Sequence, residues 1–162
     1  MNRRVIWLIA TLVTAACDRS TATEGPGTVD NQVSNGAFAA TIEGTRWTAV
    51  DSVVVMRNGP HMTLRAASPS YGIEINLANI SASGVFPLTL PAIVGSSANL
   101  TTPTGERWST GSLASQGSVA VTVFTASRIA GTFSFVAHPV PVSGASFVSV
   151  TDGTFDVRFG VP

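Results

Sequence analysis

The sequence predicts an all-β fold: an antiparallel β-sandwich or partly open barrel of about nine or ten strands. Three observations carry this reading. Short β-branched and aromatic runs recur from Gly36 onward, separated by Gly, Pro, Asn and Ser roughly every 8–12 residues. Several of these runs alternate apolar and polar side chains, the period of a half-buried strand. No stretch repeats its apolar residues at helical spacing.

Composition agrees. The chain has 162 residues, 44% of them hydrophobic and only 11% charged, against an average charged share of about 25%. That apolar content excludes a chain too polar to build a core. The length suits one domain with a tail. Formal net charge is zero, with nine basic and nine acidic residues and no basic cluster, which argues against a nucleic-acid partner. A single cysteine excludes an internal disulfide framework and a cysteine-based zinc site.

Residues 1–16 read as an export signal. Arg3 and Arg4 are its positive start, and Val5 to Val13 form an apolar stretch of about nine residues, inside the usual ~7–15. A membrane span needs about 20. Thr14-Ala15-Ala16 supplies small residues for cleavage, and Cys17 follows directly. Val13-Thr14-Ala15-Ala16-Cys17 resembles the lipobox of bacterial lipoproteins, with Thr14 where Leu is common. The resemblance implies cleavage before Cys17 and acylation of its thiol. More than one acyl chain makes such an anchor stable, at about 0.8 kcal/mol per buried CH₂. The alternative is plain secretion with a free thiol. After cleavage, seven basic residues face nine acidic ones, a net of −2, and none is lysine. Residues 17–35 then read as the lipidated cysteine and a flexible tether. Eighteen such residues span about 22–25 Å as a coil.

Residues 36–162 read as one β domain. Phe38 to Ile42 is a strand, Glu43-Gly44-Thr45 a turn, and Trp47 to Val50 the next strand. Ser52 to Met56 and Met62 to Ala67 flank Arg57-Asn58-Gly59-Pro60, where Asn-Gly signals a hairpin. Met62, Leu64 and Ala66 point inward, and Thr63 and Arg65 outward. Gly72 to Asn79 puts Ile73, Ile75 and Leu77 on one face and Glu74 and Asn76 on the other. Val85 to Leu90 is an edge strand because of Pro87. Ala98 to Thr101 forms a brief pairing, and Thr102 to Gln116 is mostly loop. Val119, Val121 and Val123 share one face; so do Phe133 and Phe135. Phe147 to Thr151 is a short strand, followed by Gly153 to Phe159 with Phe155, Val157 and Phe159 on one side. Gly131-Thr132-Phe133 recurs as Gly153-Thr154-Phe155, which reads as two strands meeting one core alike. Roughly 125 residues bury enough surface to fold without disulfides or metal.

Three segments together resemble a family of uncharacterised bacterial lipoproteins, common in Bacteroidota and related phyla. They are Phe38 to Ala49, with its F-x-A-x-I-x-G-x-x-W-x-A pattern; Gly117 to Thr122 leading to Ile129–Phe135; and Val150 to Val157. Gly84-Val85-Phe86-Pro87-Leu88 resembles that family's central G-x-Y-x-L element, with Phe for Tyr. The resemblance implies an extracytoplasmic β domain and carries over no catalytic residue.

Chemistry is sparse. His61 and His138 form no HxH or HxxxH pair, and a metal site would require them to meet Asp51, Asp152 or Asp156 in space. Gly111-Ser112-Leu113-Ala114-Ser115 misses the Gly-x-Ser-x-Gly elbow. Glu43, Asp51, Glu74, Glu106, Asp152 and Asp156 are scattered, and solvation explains Glu74 on its polar face. Asp152-Gly153 with Asp156 lacks the ligand density of a calcium loop. No phosphate-binding or dinucleotide fingerprint occurs, so no cofactor is expected. Trp47 reads as core. Trp108, in the polar Gly105–Ser109 stretch, and Tyr71, in a turn, read as candidate aromatic platforms for a sugar ring or partner; the alternative is packing over one end of the domain. The expected protein is a lipid-anchored module of the bacterial envelope, facing periplasm or cell surface, with the outer membrane favoured over the inner. It binds a small ligand, glycan or envelope protein and is not an enzyme. The alternatives are a structural or surface-coat role, or a hydrolase with an unrecognised site.

Overall fold

The computed structural model describes residues 30–33, 36–88, 95–111, 116–141 and 146–159. The signal, Cys17 and residues 18–29 and 34–35 of the tether lie outside these, as do residues 89–90 of the predicted 85–90 strand and 112–115 of the predicted 102–116 loop. The described residues contain no helix, and so none long and apolar enough to cross a membrane.

Among the described residues, twelve strands form a single antiparallel sheet that curls into a half-barrel. They are β1 (Asp30–Val33), β2 (Gly36–Ile42), β3 (Thr45–Thr48), β4 (Ser52–Asn58), β5 (His61–Ala67) and β6 (Gly72–Leu77), then β7 (Gly84–Pro87), β8 (Ser97–Thr101), β9 (Arg107–Ser109), β10 (Gln116–Phe124), β11 (Arg128–Pro139) and β12 (Val148–Arg158). The hydrogen-bonded order is β1-β4-β5-β6-β8-β9-β11-β12-β2-β3, with β10 and then β7 branching from β11. β11 is the joint. Its Ile129–Val136 stretch pairs with β10, and His138 and Pro139 pair with β9. Two layers therefore face each other: β1, β4, β5, β6, β8 and β9 form one, and β7, β10, β11, β12, β2 and β3 the other.

The alternation read in the sequence builds the core between them. Val55, Met62, Leu64, Ile73, Ile75, Leu77 and Leu100 come from the first layer, and Phe38, Val119, Phe133, Phe135, Val150 and Phe155 from the second. Phe38 is the hub of an aromatic cluster, with its ring 5.1 Å from that of Phe133 and 6.2 Å from those of Trp47 and Phe155. Trp47 is buried, and its indole N–H donates to Ser68 Oγ at 2.6 Å, which satisfies its polar edge.

The repeated Gly-Thr-Phe triplets pair with each other. Gly131 faces Phe155, Thr132 faces Thr154, and Phe133 faces Gly153. Each glycine leaves room for the other strand's ring. A Cβ at Gly153 would lie 2.5 Å from the Phe133 ring, and one at Gly131 2.8 Å from that of Phe155.

Several expectations are corrected. Asp30–Val33, read as tether, pair with β4 as its outer neighbour. The first hairpin turn is the two residues Glu43 and Gly44, with φ of 47° and 77°. Both central residues are left-handed, as a type I′ turn requires, so Thr45 belongs to β3. The strand after it ends at Thr48, not Val50. Gly59 (φ 59°) and Pro60 are the central pair of the next hairpin, not Asn58-Gly59, because Asn58 pairs with His61. Thr122 is a bulge: Val121 faces Gly131 and Val123 faces Ala130, so Phe124 takes the inward place expected of Val123. Arg107–Ser109 form β9 inside the expected loop. The last two predicted strands are one, β12, with its bulge at Asp152 (φ 48°).

Candidate functional site

The outer face of the first layer carries a groove of about 570 Å³. Its residues fall in cross-strand rows. Val54, Arg65, Glu74 and Asn99 lie side by side across β4, β5, β6 and β8; Ser52, Ala67, Gly72, Thr101 and Arg107 form the next row. The inward alternation of Met62, Leu64, Ile73 and Ile75 turns Arg65 and Glu74 outward.

Glu74 is the centre of the polar row. Its Oε2 accepts from Arg65 Nε at 2.6 Å, and its Oε1 from Asn76 Nδ2 at 3.0 Å and Asn99 Nδ2 at 3.2 Å. Thr63 Oγ1 donates to Asn76 Oδ1 at 2.7 Å, extending the network. Burial pushes the Glu74 carboxyl up, but the donors Asn76, Arg65 and Asn99 and the charge of Arg65 outweigh it, leaving it below the ordinary value of 4.5. A carboxylate held ionised in this way is a fixed hydrogen-bond acceptor and a poor proton donor at neutral pH. Gly72 keeps the floor low: a Cβ there would meet Thr101 Oγ1 at 2.8 Å. Val54 and Met56 supply an apolar wall, and Arg65 and Arg107 supply donors. The combination suits a ligand bearing hydroxyl or carboxylate oxygens on an apolar frame.

A second, shallower concavity of about 460 Å³ lies on the outer face of the other layer. Ser118, Ala120, Thr132, Ser134 and Thr154 line it with short side chains. Beyond it, Arg128 holds Asp156 through two hydrogen bonds of 2.8 Å, both partners being well exposed.

The aromatic candidates sit on the core side of their strands, opposite the groove. Trp108 of β9 pairs with buried Leu100 of β8 and packs, half-buried, against the core. Tyr71 precedes β6, shares the inward phase of Ile73, and also packs half-buried against the core. His61 is exposed at the start of β5, and His138 is half-buried beside Ser109. Among the described residues no group of three or more His, Cys, Asp or Glu comes together, so the two histidines do not assemble a site with Asp51, Asp152 or Asp156. Cys17 lies outside the described residues. Sequence reasoning missed Asn99, Thr101 and Arg107. The outward phase of Arg65 and Glu74 was legible, but nothing in the sequence shows that β8 and β9 lie beside β6.

A family model described as a domain of unknown function (DUF6252) matches residues 34–158. The chain belongs to the DUF6252 family. Its DUF6252 domain spans β2 to β12, and so includes every strand that lines the groove. No curated protein and no solved structure matches the chain.

Proposed function

We propose that this DUF6252 protein is an exported, lipid-anchored module of the bacterial envelope that binds a glycan in the groove over β4–β9, without catalysing a reaction. The groove carries the reading. Arg65, Asn99 and Arg107 present donors beside a pre-fixed acceptor, Glu74, while Val54 and Met56 offer apolar contact to a sugar ring. The residues are held by strand pairing and by each other, so little order is lost on binding. In this proposal Arg65 and Arg107 take the ligand role, and Trp108 and Tyr71 brace the strands from the core side. The anchor rests on Arg3, Arg4, the apolar stretch and Cys17, together with the resemblance to Bacteroidota-type lipoproteins.

Two measurements test it. Intact mass and detergent partitioning of the expressed protein, beside Cys17→Ser, read the anchor. An acylated chain beginning at Cys17, lost from the detergent phase in the variant, supports it; a free thiol refutes it. A glycan array probed with the soluble Cys17→Ser protein reads the site. Binding that falls about tenfold or more in Arg65→Ala/Arg107→Ala supports it, since a hydrogen bond to a charged group contributes about 1.5–3 kcal/mol. No glycan bound, or binding unchanged in the variant, refutes it in favour of a structural envelope role.

A further inference from the structure

Three arginines gather at the end of the domain where the chain arrives from its N-terminus. Asp30, the first residue of β1, pairs with Arg57 at the far end of β4. Arg57 Cζ lies 5.8 Å from the centre of the Phe124 ring. Phe124 pairs with Ile129 in the β10–β11 hairpin. Beside it, Arg128 and Arg158 face each other across β11 and β12. Arg57 and Arg158 are exposed; Asp156 is ion-paired with Arg128 and feels the charge of Arg158 as well, and Asp30 stands opposite Arg57, so three arginines share this end with two acidic residues. Glu43, Asp51 and Glu106 stand at the opposite end, with Arg46 and Arg107, by their places beside the β2–β3 turn, the start of β4 and the start of β9.

We propose that the Arg57/Arg128/Arg158 end docks on the anionic lipid headgroups of the membrane that holds Cys17, and that the groove faces away from it. The inference rests on the lipid-anchor reading above. Pairing of β1 with β4 leaves twelve residues between Cys17 and Asp30. A coil of that length spans about 17–21 Å. β11 alone, with 12 residues, is roughly 40 Å long. The tether is therefore short against the domain, and the end at which it arrives stays near the bilayer. That end carries the net positive charge, three arginines against Asp30 and Asp156, and arginines close to an anionic surface are attracted within a screening length of about 8 Å. The mouth of the groove at Ser52, Ala67, Gly72, Thr101 and Arg107 belongs to the opposite end.

Hydrogen exchange of the anchored protein reads the orientation. It is run on vesicles of phosphatidylcholine alone and on vesicles containing phosphatidylglycerol. Exchange of amides in 57–61 and 124–128 should slow on the anionic vesicles, where each arginine near the surface favours the docked orientation roughly fivefold. Amides in 43–45 and 102–106 should not change, and Arg57→Glu/Arg158→Glu should abolish the difference. Equal exchange on both vesicles, slowing at the 43–45 and 102–106 end, or an unaltered difference in the variant overturns the proposal. Failure of the anchor itself is read separately, by mass. If Cys17 is a free thiol, it is the only cysteine in the chain, so a maleimide lipid attached there places the domain on the same vesicles and the same comparison decides the docking.

Discussion

At Gly131 an added methyl group would lie 2.2 Å from the Ala120 carbonyl oxygen, and at Gly153 2.5 Å from the Phe133 ring. The difference between the two neighbours sets the cost. Backbone does not yield, whereas a ring can shift. Gly131→Ala should lower unfolding stability by about 3 kcal/mol, at the upper end of overpacking effects, and Gly153→Ala by about 1–2 kcal/mol. Urea denaturation checks both. In a Phe133→Leu background the Gly153→Ala penalty should shrink by about 0.5 kcal/mol or more, because the two positions share one space. Glu74 gives a pH signature. Its folded pKa lies below its unfolded value, so the stability it contributes is complete above about pH 4.5 and is lost as pH falls through the lower folded value. Wild type should therefore lose more stability between pH 7 and pH 3 than Glu74→Gln, measured by urea midpoint. Equal losses would show that the network contributes nothing to folding.

Elements show where local signals suffice and where they do not. Glu43-Gly44 and Gly59-Pro60 turn the backbone because Glu43, Gly44 and Gly59 adopt the needed positive φ, and both turns were legible within a residue or so. Glu43 adds a tie of its own: its carboxylate accepts from the Ser149 amide, while its amide donates to the Ser149 carbonyl at 3.0 Å. β1 was not legible. Its four residues carry no alternation of note, and only the free edge of β4 makes them a strand. A protein beginning at Gly36 should expose that edge and melt below one beginning at Asp30. Loss of about 1–2 kcal/mol corresponds to roughly 3–8 °C, and a thermal scan of the two proteins checks it. β9 was hidden for a related reason: Arg107-Trp108-Ser109 pairs on both sides, with β8 and with β11, and both partners are distant in the sequence or lie across a loop.

At the scale of the molecule, one core serves both layers, and β11 belongs to each of them through its two partners. The layers should therefore unfold together. Trp fluorescence, which reports Trp47 in the second layer and Trp108 in the first, and far-UV circular dichroism should give coincident transitions; separated midpoints would show two cooperative units. The sequence by itself determined the all-β class, the inward faces of β5, β6 and β12, the edge character of β7 and the burial of Trp47, because each follows from period-two alternation or turn chemistry within a few residues. Tertiary structure alone decided which strands are neighbours. That choice turned two Gly-Thr-Phe triplets into a reciprocal pair, moved Phe124 inward past the Thr122 bulge, and set Asn99 and Arg107 beside Glu74. The reason is physical: a strand's pattern states which face is buried, whereas its partner is selected by the whole sheet's register and closure, for which no single segment carries the information.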